Sequence, residues 1–123
     1  MHDITRKTTL KVTKATMVME NLLVKRMKIS RTEFHRQAVD HFLEGDQLIY
    51  EELLIRNWRD PKYVHKDAQE QVYLDLGREA ALRVVANRCG CGITVVIFQA
   101  LLEYCDYLAP QLLKPEELKR LFG

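Results

Sequence analysis

The sequence predicts a mainly α-helical fold with short β-ribbon strands, arranged as two tandem β-α-α repeats joined by an amphipathic helix. Three observations carry that expectation. The stretches Thr8–Thr13 and Gln71–Leu76 alternate polar and apolar residues, as strands with one covered face do. Each is followed by two apolar stripes at helical spacing. A shift of 62 residues lays the first set onto the second.

In Thr8–Thr13, Leu10 and Val12 share one face, and Thr9, Lys11 and Thr13 share the other. From about residue 16, Met19, Leu22, Leu23 and Met27 recur at helical spacing, with Lys25, Arg26 and Lys28 on the outer face. Ile29–Glu33 reads as a turn in which Ser30 caps the next helix and Glu33 completes a capping box. Phe34, Ala38, Val39, Phe42 and Leu43 form that helix's stripe, and Gly45 stops it.

The second repeat follows the same order. Val72, Leu74 and Leu76 share one strand face, opposite Gln71, Tyr73 and Asp75, and Gly77 breaks the strand. A helix runs from Arg78 to Cys89, with Gly90-Cys91-Gly92 as the turn. A long apolar helix then extends from Ile93 to Ala109 and ends at Pro110, with Thr94 as a candidate cap in place of Gly92. Under the 62-residue shift, Arg26, Thr32, Gln37 and Ala38 meet identical residues at Arg88, Thr94, Gln99 and Ala100.

Between the repeats, Asp46–Trp58 reads as an amphipathic helix through Ile49, Leu53, Leu54 and Trp58, with a polar connector from Lys62 to Gln71. Pro115–Phe122 reads as a short terminal helix with Leu118, Leu121 and Phe122 as its apolar contacts. The expected divisions are a first repeat over 1–45, a linker over 46–70, a second repeat for assembly over 71–110, and a short helix over 111–123.

With 123 residues, 47% hydrophobic and 29% charged, the composition is that of an ordinary globular chain and excludes a disordered or collagen-like one. No apolar run approaches the roughly 20 residues of a membrane span, so no membrane partner is expected. The first residues lack the apolar core of a signal peptide, and three cysteines then read as reduced thiols; a cytoplasmic location is expected. Net charge is only +2, but residues 1–43 hold nine Lys/Arg against four Asp/Glu, whereas 44–70 hold four against seven. A basic block at one end suits an anionic partner there; a solvated charged face is the plainer alternative.

Residues 8–43 resemble the ribbon-helix-helix DNA-binding proteins, the group of the Arc and methionine repressors. The likeness rests on the strand Thr8–Thr13, the two helices, the turn Ile29–Phe34, and Ala38, Val39, Phe42 and Leu43 after it. Residues 71–108 resemble a second, degenerate copy. The resemblance implies a two-stranded antiparallel ribbon in the major groove of double-stranded DNA, with Thr9, Lys11 and Thr13 reading bases. Ser30 and Arg31 begin the second helix, whose free amides and positive dipole end favour a backbone phosphate. Lys7, Lys14, Lys25, Arg26 and Lys28 are candidates for further phosphate contacts.

Two pairings are open. Strand 8–13 can pair with 71–76 in one chain, or each strand can pair with its counterpart in a second chain. The second is favoured because it brings two copies of Thr9-Lys11-Thr13 together. A homo-oligomer, dimer or tetramer, on a palindromic operator is therefore expected, acting as a transcriptional repressor. The alternatives are an antitoxin whose Leu53, Leu54, Trp58 and Tyr63 mask a protein partner such as a toxin, and a plasmid or relaxosome accessory protein.

No catalytic site, cofactor or metal is expected. Cys89 and Cys105 fall on core positions, and His35 and His41 lie six apart, a poor spacing for a shared ion. Glu51-Glu52 and Glu116-Glu117 read as solvated pairs, and no phosphate loop or nucleophile elbow occurs.

Overall fold

Strand β1 (Thr5–Val12) and strand β2 (Ala68–Asp75) form a two-stranded antiparallel ribbon within one chain, with Thr9 opposite Gln71. The computed structural model describes residues 4–122, and the side chains of Leu121 and Phe122 lie outside what it describes. β1 leads into helix α1 (Lys14–Met27) and helix α2 (Arg31–Glu44); β2 leads into helix α4 (Leu76–Cys89) and helix α5 (Ile93–Leu112). A single helical turn, α3 (Glu51–Leu54), lies between the two halves, and α6 (Pro115–Phe122) closes the chain.

The pairing of β1 with β2 corrects the expectation that each strand pairs with a second chain. Its physical reason is the polarity of the inward faces. Leu10 and Val12 on β1 and Val72 and Leu74 on β2 are all buried, so one set of helices covers both strands at once. The strands also start earlier than alternation alone indicated. β1 ends at Val12 because Thr13 turns away to cap α1, its hydroxyl accepting the Thr16 N–H at 3.1 Å. β2 ends at Asp75 for the same reason: its carboxylate accepts the Arg78 N–H at 3.1 Å. Leu76 is therefore the first residue of α4 and is exposed, and Gly77 lies inside the helix.

Ser30 caps α2 by accepting the Glu33 N–H at 3.0 Å, but the capping box is half made, since Glu33 takes Gln37 instead. Gly92 occupies the cap of α5 without a side-chain bond, and Thr94 does not replace it. α1 and α4 both end on a left-handed residue, Lys28 (φ 58°) and Gly90 (φ 67°). α5 runs past Pro110 to Leu112. The proline ring costs the last turn one donor, and the Leu113 N–H bond to the Ala109 carbonyl at 2.9 Å closes the helix.

The amphipathic helix expected over Asp46–Trp58 shrinks to α3. Gln47 has a positive φ (56°), Tyr50 (ψ 135°) is non-helical and Ile55 is extended, so the backbone leaves the helical region on both sides. Leu53 is buried while Trp58 is 61% exposed, so the segment has no continuous apolar stripe.

α5 is the spine. It packs against α1, α2, α4 and β1, burying Val96, Ile97, Phe98, Ala100 and Leu101. By length and composition it matches a membrane-crossing helix, yet more than half of its most apolar stretch is buried against the other elements. Phe34 of α2 meets Tyr104 of α5 with ring centroids 5.3 Å apart, and the Tyr104 hydroxyl donates to Gln37 at 2.8 Å. α6 is held by Arg26, which donates to the Leu112 carbonyl (2.8 Å) and to Glu117 (2.6 Å). Glu117 is thus a structural partner rather than a solvated acid.

Phe34→Ala removes a fully buried ring at the α2–α5 contact and is expected to cost about 3–5 kcal/mol in urea unfolding. Lys28→Gly relieves a left-handed residue and is expected to add about 0.5–1 kcal/mol in the same assay.

Candidate functional site

The register of the ribbon decides which side chains share its outward face. Directly opposed residues of an antiparallel pair lie on the same side, so Lys7, Thr9 and Lys11 stand beside Tyr73, Gln71 and Gln69. All six are exposed. Three are the amide and phenol groups of β2, two are amines, one is a hydroxyl, and none is a carboxylate.

This row differs from the expected one by two residues at each end. Thr9 and Lys11 stand where the alternation put them, but Thr13 is half-buried in the α1 cap and is absent from the outward face. Lys7, expected only as a phosphate contact, takes its place in the row. Asp75, expected to repel phosphate from the second strand, ends this same row opposite Thr5 and is tied into α4. The Arg78 guanidinium lies 2.7 Å from its carboxylate and holds its pKa below the ordinary value. Asp40 clamps the other edge of Arg78 with two bonds of 2.8 Å.

Of the expected phosphate contacts, Lys14, Lys25 and Lys28 are exposed on α1 and its end. Ser30 is exposed, with its hydroxyl committed to the cap. Arg26 is bonded to α6 and Arg31 to the buried Glu70, each with part of its side chain exposed. A second basic feature adjoins Lys11. A shallow cavity of about 370 Å³ is lined by Lys11, Trp58, Tyr63, His65, Lys66 and Asp67. Asp67 accepts the Lys14 backbone N–H at 2.9 Å, and burial lowers the pKa of Lys66. The sequence carried this cavity only as scattered basic and aromatic residues in a polar connector.

Beneath the outward row lies a cluster that reading for periodicity missed. Glu20 (α1), His35 (α2) and Glu70 (β2) are 0, 1 and 4% exposed. His35 Nε2 is 2.7 Å from Glu70 Oε1 and 3.2 Å from Glu20 Oε1. Arg31 Nη1 reaches Glu70 Oε1 at 2.8 Å and lies 3.6 Å from Glu20 Oε1. The second carboxylate oxygens of both glutamates are buried without partners.

Burial is the main cause that lifts Glu20 to about 7, with the hydrogen bond to Glu70 adding to it. Burial also opposes charge on His35, but its bonds to Glu20 and Glu70 outweigh that and raise its pKa. Glu70 goes the other way: despite burial, bonds from His35 and Glu20 and the Arg31 charge hold it low. The three donor atoms lie within 4.8 Å of one another, a set that suits a transition metal in type. Their spacing is that of hydrogen bonds, however. Two ligands of a tetrahedral zinc stand about 3.3 Å apart at bond lengths near 2 Å, and here Arg31 already supplies the cation.

Cys89 and Cys91 are half-buried free thiols, and burial raises the pKa of Cys91 and of the buried Cys105. Comparison of the chain with protein-family models, with curated proteins and with solved structures gave no match in any of the three.

Arg31→Met leaves the buried glutamates without their only arginine. It is expected to cost roughly 3 kcal/mol in urea unfolding, the lower end for a broken buried pair because Arg31 is itself a third exposed.

Proposed function

We propose that the chain is a sequence-specific DNA-binding protein of ribbon-helix-helix type, acting as a transcriptional repressor, with both strands of the reading ribbon drawn from one chain. The observation that carries this reading is the outward row itself: Lys7, Thr9 and Lys11 beside Tyr73, Gln71 and Gln69, with its one carboxylate, Asp75 opposite Thr5, held by Arg78. A two-stranded ribbon fits the major groove. Lysine donates to guanine O6 and N7, glutamine bonds adenine in a bidentate manner, and threonine serves either role.

The helix caps support the tandem-repeat interpretation. Thr13 and Asp75, Lys28 and Gly90, and Ser30 and Gly92 all occupy equivalent cap positions at the same 62-residue offset. On this reading the second copy supplies the partner strand that a second chain would otherwise supply. The two strands present different side chains, so one chain reads a non-palindromic site. Lys14, Lys28 and the Lys66 cavity supply sequence-independent phosphate contacts.

A protein-interaction role, as in an antitoxin, is the second reading. The exposed Trp58 and Leu54 favour it, and the burial of Leu53 removes part of the surface it needs.

Fluorescence anisotropy against DNA from upstream of the chain's own gene, with random competitor and rising salt, tests the first reading. Tight binding that survives random competitor is expected. Lys11→Ala is expected to cost roughly tenfold in affinity and to relax base preference, whereas Lys14→Ala weakens all sequences alike and makes the salt slope shallower by about one. Weak binding to every sequence that vanishes with salt contradicts the reading and turns attention to Trp58.

A further inference from the structure

Glu70 lies on the inward row of β2, between Gln69 and Gln71 of the outward row. The side chain that anchors this strand to the helices is therefore the covalent neighbour of two exposed amides. We propose that Glu20, His35 and Glu70 form a proton-operated positioning cluster that holds β2, and with it the outward face of the ribbon, onto α1 and α2. The assignment stands on the ribbon's attachment and is independent of what the ribbon binds.

Each member comes from a different element, and their atoms meet at one point. Glu20 reaches in from α1, His35 and Arg31 from α2, and Glu70 from β2. From α5, Cys105 faces the same charges, and burial keeps its thiol protonated and neutral. With a proton on Glu20, the two carboxyl groups bond each other, and the single anion, Glu70, meets Arg31 and the His35 N–H. Removing that proton sets two carboxylates side by side in a site closed to solvent. The second charge then has only Arg31, at 3.6 Å and too far for a full bond, and a share of the one His35 Nε2, 3.2 Å away, which Glu70 already holds at 2.7 Å. Repulsion then acts between α1 and β2, the two elements the cluster joins.

The direction with pH follows from each group. Glu20, raised from 4.5 to about 7, contributes fully below 4.5, and its contribution is lost as pH rises through about 7. His35, raised above 6.5, likewise contributes below 6.5 and loses its contribution at higher pH. Glu70, lowered from 4.5, contributes above 4.5 and fails only in acid. The cluster therefore grips hardest near pH 4.5, slackens steadily as pH rises from there to about 7, and loses the His35 contribution above 6.5.

Amide hydrogen exchange of residues 5–12 and 68–75 tests this against the amides of α5 in the same chain, with the intrinsic pH dependence divided out. Ribbon protection relative to α5 is expected to fall about tenfold between about pH 6 and pH 8 in the natural chain. In Glu20→Gln, which mimics the protonated acid, the fall is expected to shrink to the part that His35 contributes. Parallel behaviour of ribbon and α5 in the natural chain overturns the proposal, as does an unchanged fall in Glu20→Gln. Should that variant fail to fold, a carbon-13 titration of the Glu20 carboxyl in the natural chain decides. A midpoint near 7 is expected, and one in the ordinary carboxylate range overturns the assignment.

Discussion

A strand with unpaired donors and acceptors on both edges cannot persist in water, and a ribbon of two strands persists only if one face is covered. β1 meets this constraint with β2, a partner that lies beyond α1, α2 and α3 in the chain. Closing so long a loop costs conformational entropy that local contacts cannot repay. Repayment comes from the shared apolar floor, where Leu10, Val12, Val72 and Leu74 meet the stripes of α1, α2 and α5. Ribbon and helical core therefore form as one cooperative unit, and neither half of the chain has a covered ribbon without the other.

The inward row of the ribbon is not wholly apolar. Glu70 interrupts it opposite Leu10, and Glu20, His35 and Arg31 gather around the interruption. A buried ionic group of this kind is a poor source of net stability compared with apolar packing. What it supplies is direction: bonds that fit only one placement of β2 over α1 and α2. Register matters here because a slip of one residue would exchange the exposed Gln69 and Gln71 for the buried Glu70 and Val72. The same hydrogen bonds tie the position of the ribbon to the protonation of Glu20 and His35.

Much of the helical framework was legible because it rests on local signals. The stripe Phe34, Ala38, Val39 and Phe42 and the cap at Ser30 stand where spacing and cap chemistry put them. Local signals also misled. Thr13 and Leu76 continue the strand alternation by residue type, but the helix caps at Thr13 and Asp75 take precedence and end both strands. In Asp46–Trp58 helical spacing holds on paper while Gln47 adopts a positive φ and the backbone leaves the helix. Strand pairing was illegible because both partners offered the same apolar inward face, and only the three-dimensional cover over both decides between them. The cluster was illegible for a related reason: Glu20 and Glu70 resemble surface acids in sequence, and His35 becomes significant only when α1, α2 and β2 converge.

One chain builds the whole ribbon. A sample mixing isotope-labelled and unlabelled chains, examined by isotope-filtered nuclear Overhauser spectroscopy, tests it directly alongside the solution mass. Contacts between Thr9 and Gln71 are expected to arise within single chains and to survive dilution to the monomer. Cross-strand contacts between labelled and unlabelled chains, lost when the mass falls to one chain, would contradict it.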